Sequence, residues 1–104
     1  MEKDDLGDVI AMRELSLVEG DAVPKTVLVK LGKPRQFPDA SSYYVPFQIT
    51  GIGSEKVRRA GGVDAIQAIQ LAMKMIGATL DKLNQDVGGS IRWEAGGVGD
   101  LGFS

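Results

Sequence analysis

A single amphipathic stripe over residues 64–84 constrains this chain more than anything else in it. Ile66, Ile69, Met73, Ile76, Leu80 and Leu83 recur at spacings of three and four, and Ala65, Ala68 and Ala72 widen the stripe. Gln67, Gln70, Lys74 and Asp81 fall on the opposite side. That period is the signature of a surface helix laid on a core. No proline interrupts it. Asp64 is a good N-cap, and Gln67 three residues later completes a capping box. Leu71 and Met75 lie at the border of the apolar face, next to Lys82. They either complete the core or meet a partner.

A helix with one apolar face needs a second surface to bury it, and the residues before it supply strands. Residues 9–18 are rich in β-branched and aliphatic side chains, but Ile10 and Met12 share one parity while Leu15 and Leu17 share the other. A bulge near Arg13 and Glu14 would reconcile them, because one extra residue shifts the facing. The alternative is a strand covered on both faces. Residues 25–31 alternate cleanly, with Val27, Val29 and Leu31 facing one way. Residues 43–52 do the same, with Tyr43, Val45, Phe47 and Ile49 on one side. Pro46 has no N–H to give to a ladder, so it belongs on an edge strand or where that side faces outward. Residues 56–60 form a weaker fourth strand ending at Gly61 and Gly62.

Between the second and third strands lies the connection 32–42, with Pro34, Pro38 and Asp39. It is longer than the ~2–5 residues of an ordinary hairpin loop. It is the first place to look for function or mobility. The tail changes character, since six of the 14 glycines lie between Gly88 and Gly102. Residues 90–94, with Ile91 and the only tryptophan, read as one short strand, and Leu101 and Phe103 should dock onto the body.

The expected architecture is therefore α+β. An antiparallel sheet of three to four strands carries one long helix on one face, and a short C-terminal strand completes the core. Val27, Val29, Leu31, Val45, Phe47 and Ile49 should meet Ile66, Ile69, Met73, Ile76 and Leu80. At 104 residues the chain fits a single domain, 1–104. Residues 1–8 are polar and mostly acidic, without the apolar run of a secretory signal. They read as a disordered lead-in to a cytoplasmic protein. No apolar run reaches the ~18 residues of a membrane span.

Composition removes whole chemistries. There are no cysteines and no histidines. Thiolate nucleophiles, thiolate zinc sites, Ser–His and Cys–His catalysis and the HExxH zinc helix are thereby excluded. Acidic residues are scattered singly, without the helix spacing of a di-metal carboxylate site. The expectation is no enzyme, no catalytic residue, no metal and no cofactor. With 12 basic and 14 acidic residues the formal charge is -2, and a nucleic-acid binder usually carries a basic domain or stripe.

Local motifs are weak. Gly51-Ile-Gly53 and Gly96-Gly97-Val-Gly99 do not complete a phosphate loop before a helix. Gly61 and Gly62 precede a helix N-terminus, where free N–H groups can hold an anion, but Asp64 competes for the same donors. Lys30, Lys56 and Arg58 can share the solvent face of the sheet with Tyr44 nearby, as a contact for an anion or acidic partner. The plain alternative is a solvated face that carries charge for solubility. Trp93 is either a ligand-stacking ring or a core plug.

The run Gly62-Val-Asp-Ala-Ile-Gln-Ala-Ile-Gln-Leu-Ala-Met73, with Pro46-Phe-Gln-Ile-Thr-Gly51 before it and Trp93 and Leu101-Gly-Phe103 after it, resembles a family of short uncharacterised bacterial proteins. The resemblance covers most of residues 9–103. It implies the same strand and helix order and an intracellular bacterial protein. It carries no established activity, so no functional residue is transferred.

Two readings of function follow. The first is a non-catalytic interaction protein, of inhibitor, immunity or accessory type. It would bind a protein partner, or itself as a homodimer, through Leu71, Met75 and Lys82 with Pro34 and Pro38 of the 32–42 connection. The alternative is a small-molecule or nucleic-acid binding module using the basic sheet face or a pocket under that connection.

Overall fold

The computed structural model describes residues 5–39, 41–97 and 99–103. Residues 1–4 of the expected lead-in lie outside the described residues. The chain runs β1 (Val9–Leu17), β2 (Lys25–Gly32), β3 (Arg35–Gln36), β4 (Tyr43–Thr50), β5 (Arg58–Gly62), α1 (Ala65–Asp86) and β6 (Ile91–Arg92). All pairings are antiparallel. The architecture is the expected α+β arrangement, and among the described residues the sheet has six strands: the four expected, the expected short C-terminal β6, and β3 in addition.

The extra strand β3 lies inside the connection 32–42. Tyr43 and Tyr44 pair with β3 and also with β5, and Phe47 pairs with both Leu31 of β2 and Arg58 of β5. β2 and β3 therefore lie along the same edge of β4, with a one-residue slip between them. Pro46 falls in that gap, opposite Gly32, whose would-be Cβ stands 2.7 Å from the proline Cγ. β4 is thus paired on both edges, so of the two places expected for Pro46 the edge strand is not the one found. The proline is tolerated there because the ladder is broken between Leu31–Phe47 and Arg35–Tyr44.

Residues 5–8 lie beside this junction. The Lys33 N–H donates to the Asp8 carbonyl at 2.8 Å, and Arg35 faces the Asp5 carboxylate at 3.7 Å. In β1 the register irregularity lies between Val9 and Ala11, not at Arg13–Glu14. Beyond it the strand alternates regularly. Leu15 and Leu17 are buried, while Ile10 and Met12 are exposed. Neither a mid-strand bulge nor a strand covered on both faces is present.

α1 begins at Asp64, whose Oδ1 accepts from the Gln67 N–H at 2.8 Å, while Gln67 Oε1 accepts from the Val63 N–H at 2.8 Å. The box therefore closes one residue before the cap. The helix ends two residues later than expected, where Gly88 and Gly89 take positive φ and donate to the carbonyls of Gln85 and Asn84. Ala68, Ala72, Ile76 and Leu80 are its buried line. They pack on Leu15, Val27, Val29, Val45, Phe47 and Ile49. Ile66 is 65% exposed, contrary to its expected place in the core. The first turn comes down on the Gly62 backbone, where a Cβ would stand 2.6 Å from the Ala68 nitrogen. So close an approach runs through the alanines and leaves the bulky Ile66 to one side.

The tail packs as expected. Ile91 and Leu101 are buried, and Trp93 and Phe103 are half-buried against the core. The Asn84 side chain accepts from the Ile91 N–H at 2.9 Å, tying β6 to the end of α1.

Candidate protein-contact surfaces

Register decides where the basic residues point. Arg58 pairs with the inward Phe47, and cross-strand partners share a face, so Arg58 lies on the helix side of the sheet. Lys30 pairs with Met12 and Gln48, on the opposite side. The expected basic face of Lys30, Lys56 and Arg58 is therefore not formed. β5 begins two residues later than the sequence suggests, and its register with β4, which sets Arg58 opposite Phe47 and Ala60 opposite Val45, puts Arg58 on the face opposite Lys30. Arg59 takes the outer position instead, 5.1 Å from the Tyr44 ring centroid, and Tyr44 in turn packs on Phe37 at 4.8 Å.

Lys56 and Arg58 are brought to a different neighbour, Lys82. All three line a groove of about 170 Å³ between α1 and the segment leading into β5, over Phe47, Ile49 and Leu83. Asp86 and Glu55 also line it. The Glu55 carboxylate is engaged by the Gly51 N–H at 2.6 Å, and its carbonyl accepts from Gln48 at 2.8 Å. Glu55 itself adopts φ 59. A pinned turn of this kind holds the adjoining Lys56 in place. Among the described residues none of the three cations forms an ion pair.

Of the other residues singled out, Leu71 is exposed and Met75 is half-buried against the core. Met75 lies on the helix flank that leads to the groove, and its carbonyl accepts from Thr79, a groove residue, at 2.7 Å. Pro34 is half-buried in the β2–β3 slip and Pro38 is exposed in the following turn. Among the described residues, no hydrogen bond, ring contact or groove described here joins either proline to Leu71, Met75 or Lys82. The same turn holds Asp39, whose carboxyl is kept below the usual carboxylate range by the Ser41 hydroxyl and then by the Ser41 amide.

A larger cleft of about 540 Å³ lies between α1 and the tail, lined by Lys74, Gly77, Asp81, Asp100 and Phe103 among others. Among the described residues, none of the 32–42 connection lines this cleft or the groove. Arg13, which the sequence reading passed over, stands on the inward side beside the tail, 3.9 Å from the Trp93 ring centroid. One signal pointed to it: a cation in the parity row of Leu15 and Leu17 must find aromatic or carbonyl partners.

Residues 11–104 match the model of a domain of unknown function, DUF6968, and the chain belongs to that family. No curated protein and no solved structure matches it.

Proposed function

We propose that this member of the DUF6968 family is a non-catalytic protein-binding domain whose groove beside α1 takes an acidic, partly apolar segment of another protein. The convergence of Lys56, Arg58 and Lys82 over Phe47, Ile49 and Leu83 carries the reading. Cations without ion-pair partners around an apolar floor complement a carboxylate set beside an aliphatic side chain. Such a rim sets the rate and specificity of encounter. At about 170 Å³ the groove is smaller than the ~300–1,000 Å³ of small-molecule sites, which favours one or two side chains over a whole ligand. Leu71 and Met75 extend the contact along the helix flank. The finer form of the proposal is a bacterial, cytoplasmic accessory or inhibitor protein, supported by the sequence resemblance.

A second reading, a small-molecule site in the cleft between α1 and the tail, is favoured by its volume of about 540 Å³. Nucleic acid is disfavoured, because Lys30 faces away from Lys56 and Arg58. The readings separate by amide NMR with a synthetic peptide alternating glutamate and leucine. Shifts centred on Lys56, Arg58 and Lys82, weakened by salt and absent in a folded Lys56→Glu/Arg58→Glu/Lys82→Glu variant, support the groove. A folded protein whose groove amides stay unmoved at saturating peptide overturns it.

A further inference from the structure

We propose that two copies of this chain associate through the free edge of β1, antiparallel about a two-fold axis at Met12. β6 pairs with β1 only at Ser16 and Leu17. The rest of that edge is open among the described residues. The Val18 N–H donates to the Ser90 carbonyl at 3.0 Å, so Val18 points toward β6. Strand alternation then aims the N–H and C=O of Glu14 and Met12 at the same side, where no partner is found among the described residues.

An open strand edge is a template for another strand, and proteins guard such edges with lysine, proline or bulges. β1 contains neither lysine nor proline, and its irregularity, at Val9–Ala11, falls at the end of the open ladder and leaves Met12 to Glu14 in regular strand. Its one cation, Arg13, is turned onto its own tail, with Nη1 donating to the carbonyls of Leu101 and Gly102. The segment exposes apolar side chains instead, Ile10 at 51% and Met12 at 63%. An apolar depression bounded by Ala11, Met73, Ile76 and Phe103 continues that surface toward the helix side.

The edge is complementary to itself. A two-fold axis at Met12 sets Met12 against Met12, Ile10 against Glu14, and Arg13 against the small Ala11. An axis at Arg13 would oppose two guanidinium groups. With the axis at Met12, the ladder ends where exposed Asp8 of one copy comes alongside exposed Arg92 of the other, so opposite charges meet at both ends. An interface of this kind is isologous and closes as a dimer.

The chain has no cysteine, so Met12→Cys carries a unique thiol. Under mild oxidation it should form a disulfide-linked dimer at least tenfold faster than Val23→Cys, an exposed site off this edge. Light scattering should find the wild type dimeric, and Met12→Lys a folded monomer by circular dichroism. A wild-type monomer at the highest soluble concentration overturns the proposal. So does a dimer that survives Met12→Lys. Protection of the Met12 and Glu14 amides that requires an added foreign peptide assigns the edge to another protein's strand and likewise overturns self-pairing.

Discussion

Arg13 and Trp93 are stacked, with the guanidinium carbon 3.9 Å from the ring centroid. The same guanidinium lies 4.8 Å from the Phe103 ring centroid and donates to the carbonyls of Leu101 and Gly102, each at 3.2 Å. One side chain of β1 thus fastens a tail that is otherwise rich in glycine. Arg13→Ala should cost about 1–3 kcal/mol, combining a cation–π contact with charged hydrogen bonds. Arg13→Lys should recover less than half of this, because an ammonium lacks the planar fork. Urea unfolding measures the loss, and a red shift of Trp93 emission in the native variant reports release of the tail.

Gly32 and Pro46 face one another across the break between β2 and β3. A Cβ on Gly32 would stand 2.5 Å from the Leu6 carbonyl oxygen and 2.7 Å from the Pro46 ring. Neither can swing aside, since one is backbone and the other a closed ring. Gly32→Ala should therefore destabilise by about 1–3 kcal/mol, as overpacking does. Gly97→Ala, where a Cβ meets nothing within 4 Å, should stay within about 0.5 kcal/mol of wild type. Parallel thermal melts distinguish the two.

The sheet core and the helix were legible because each residue's facing follows from its own neighbours. Val27, Val29, Leu31, Val45, Phe47 and Ile49 alternate, and the Asp64 cap and its helix stripe need only local spacing. Facing across strands was less legible. Whether Arg58 joins Phe47 or Lys30 depends on the turn that precedes β5, whose geometry rests on Gly51, Gly53 and the positive φ of Glu55. β3 was hidden because the slip after Gly32 breaks the period that marks a strand. The groove of Lys56, Arg58 and Lys82 was invisible for a different reason. Its members come from separate elements, and only the register joins them.

Asp39 carries a pH-dependent contact. Its Oδ1 accepts from the Ser41 hydroxyl at 2.7 Å and from the Ser41 amide at 3.0 Å, which holds its pKa below the ordinary aspartate range. A depressed folded pKa means that the contact holds the turn above the ordinary aspartate range. It is lost as pH falls through the folded value. The Ser41 amide resonance should titrate with a midpoint below that of an aspartate in an unstructured peptide. Asp39→Asn, which still accepts a hydrogen bond, should abolish the titration. Because the carboxylate is exposed, global stability should follow other groups.

Leu71 and Met75 stand one turn apart but separate in their expected behaviour. Leu71 is 41% exposed, so Leu71→Glu should cost no more than about 0.5 kcal/mol. Met75 packs against the core, so Met75→Glu drives a carboxylate against apolar atoms and should cost about 1–3 kcal/mol. A double substitution would mix contact with folding, and Leu71→Glu alone is the informative variant. It places a negative charge on the flank that extends the basic groove. An acidic peptide should bind it more weakly, and the effect should fade at high salt as the charges are screened. Association through the β1 edge should be untouched, because that edge presents Met12 and Glu14 from another element. Peptide titration and light scattering on the same sample read the two outcomes separately. Loss of the dimer in Leu71→Glu would transfer self-association from β1 to the helix flank.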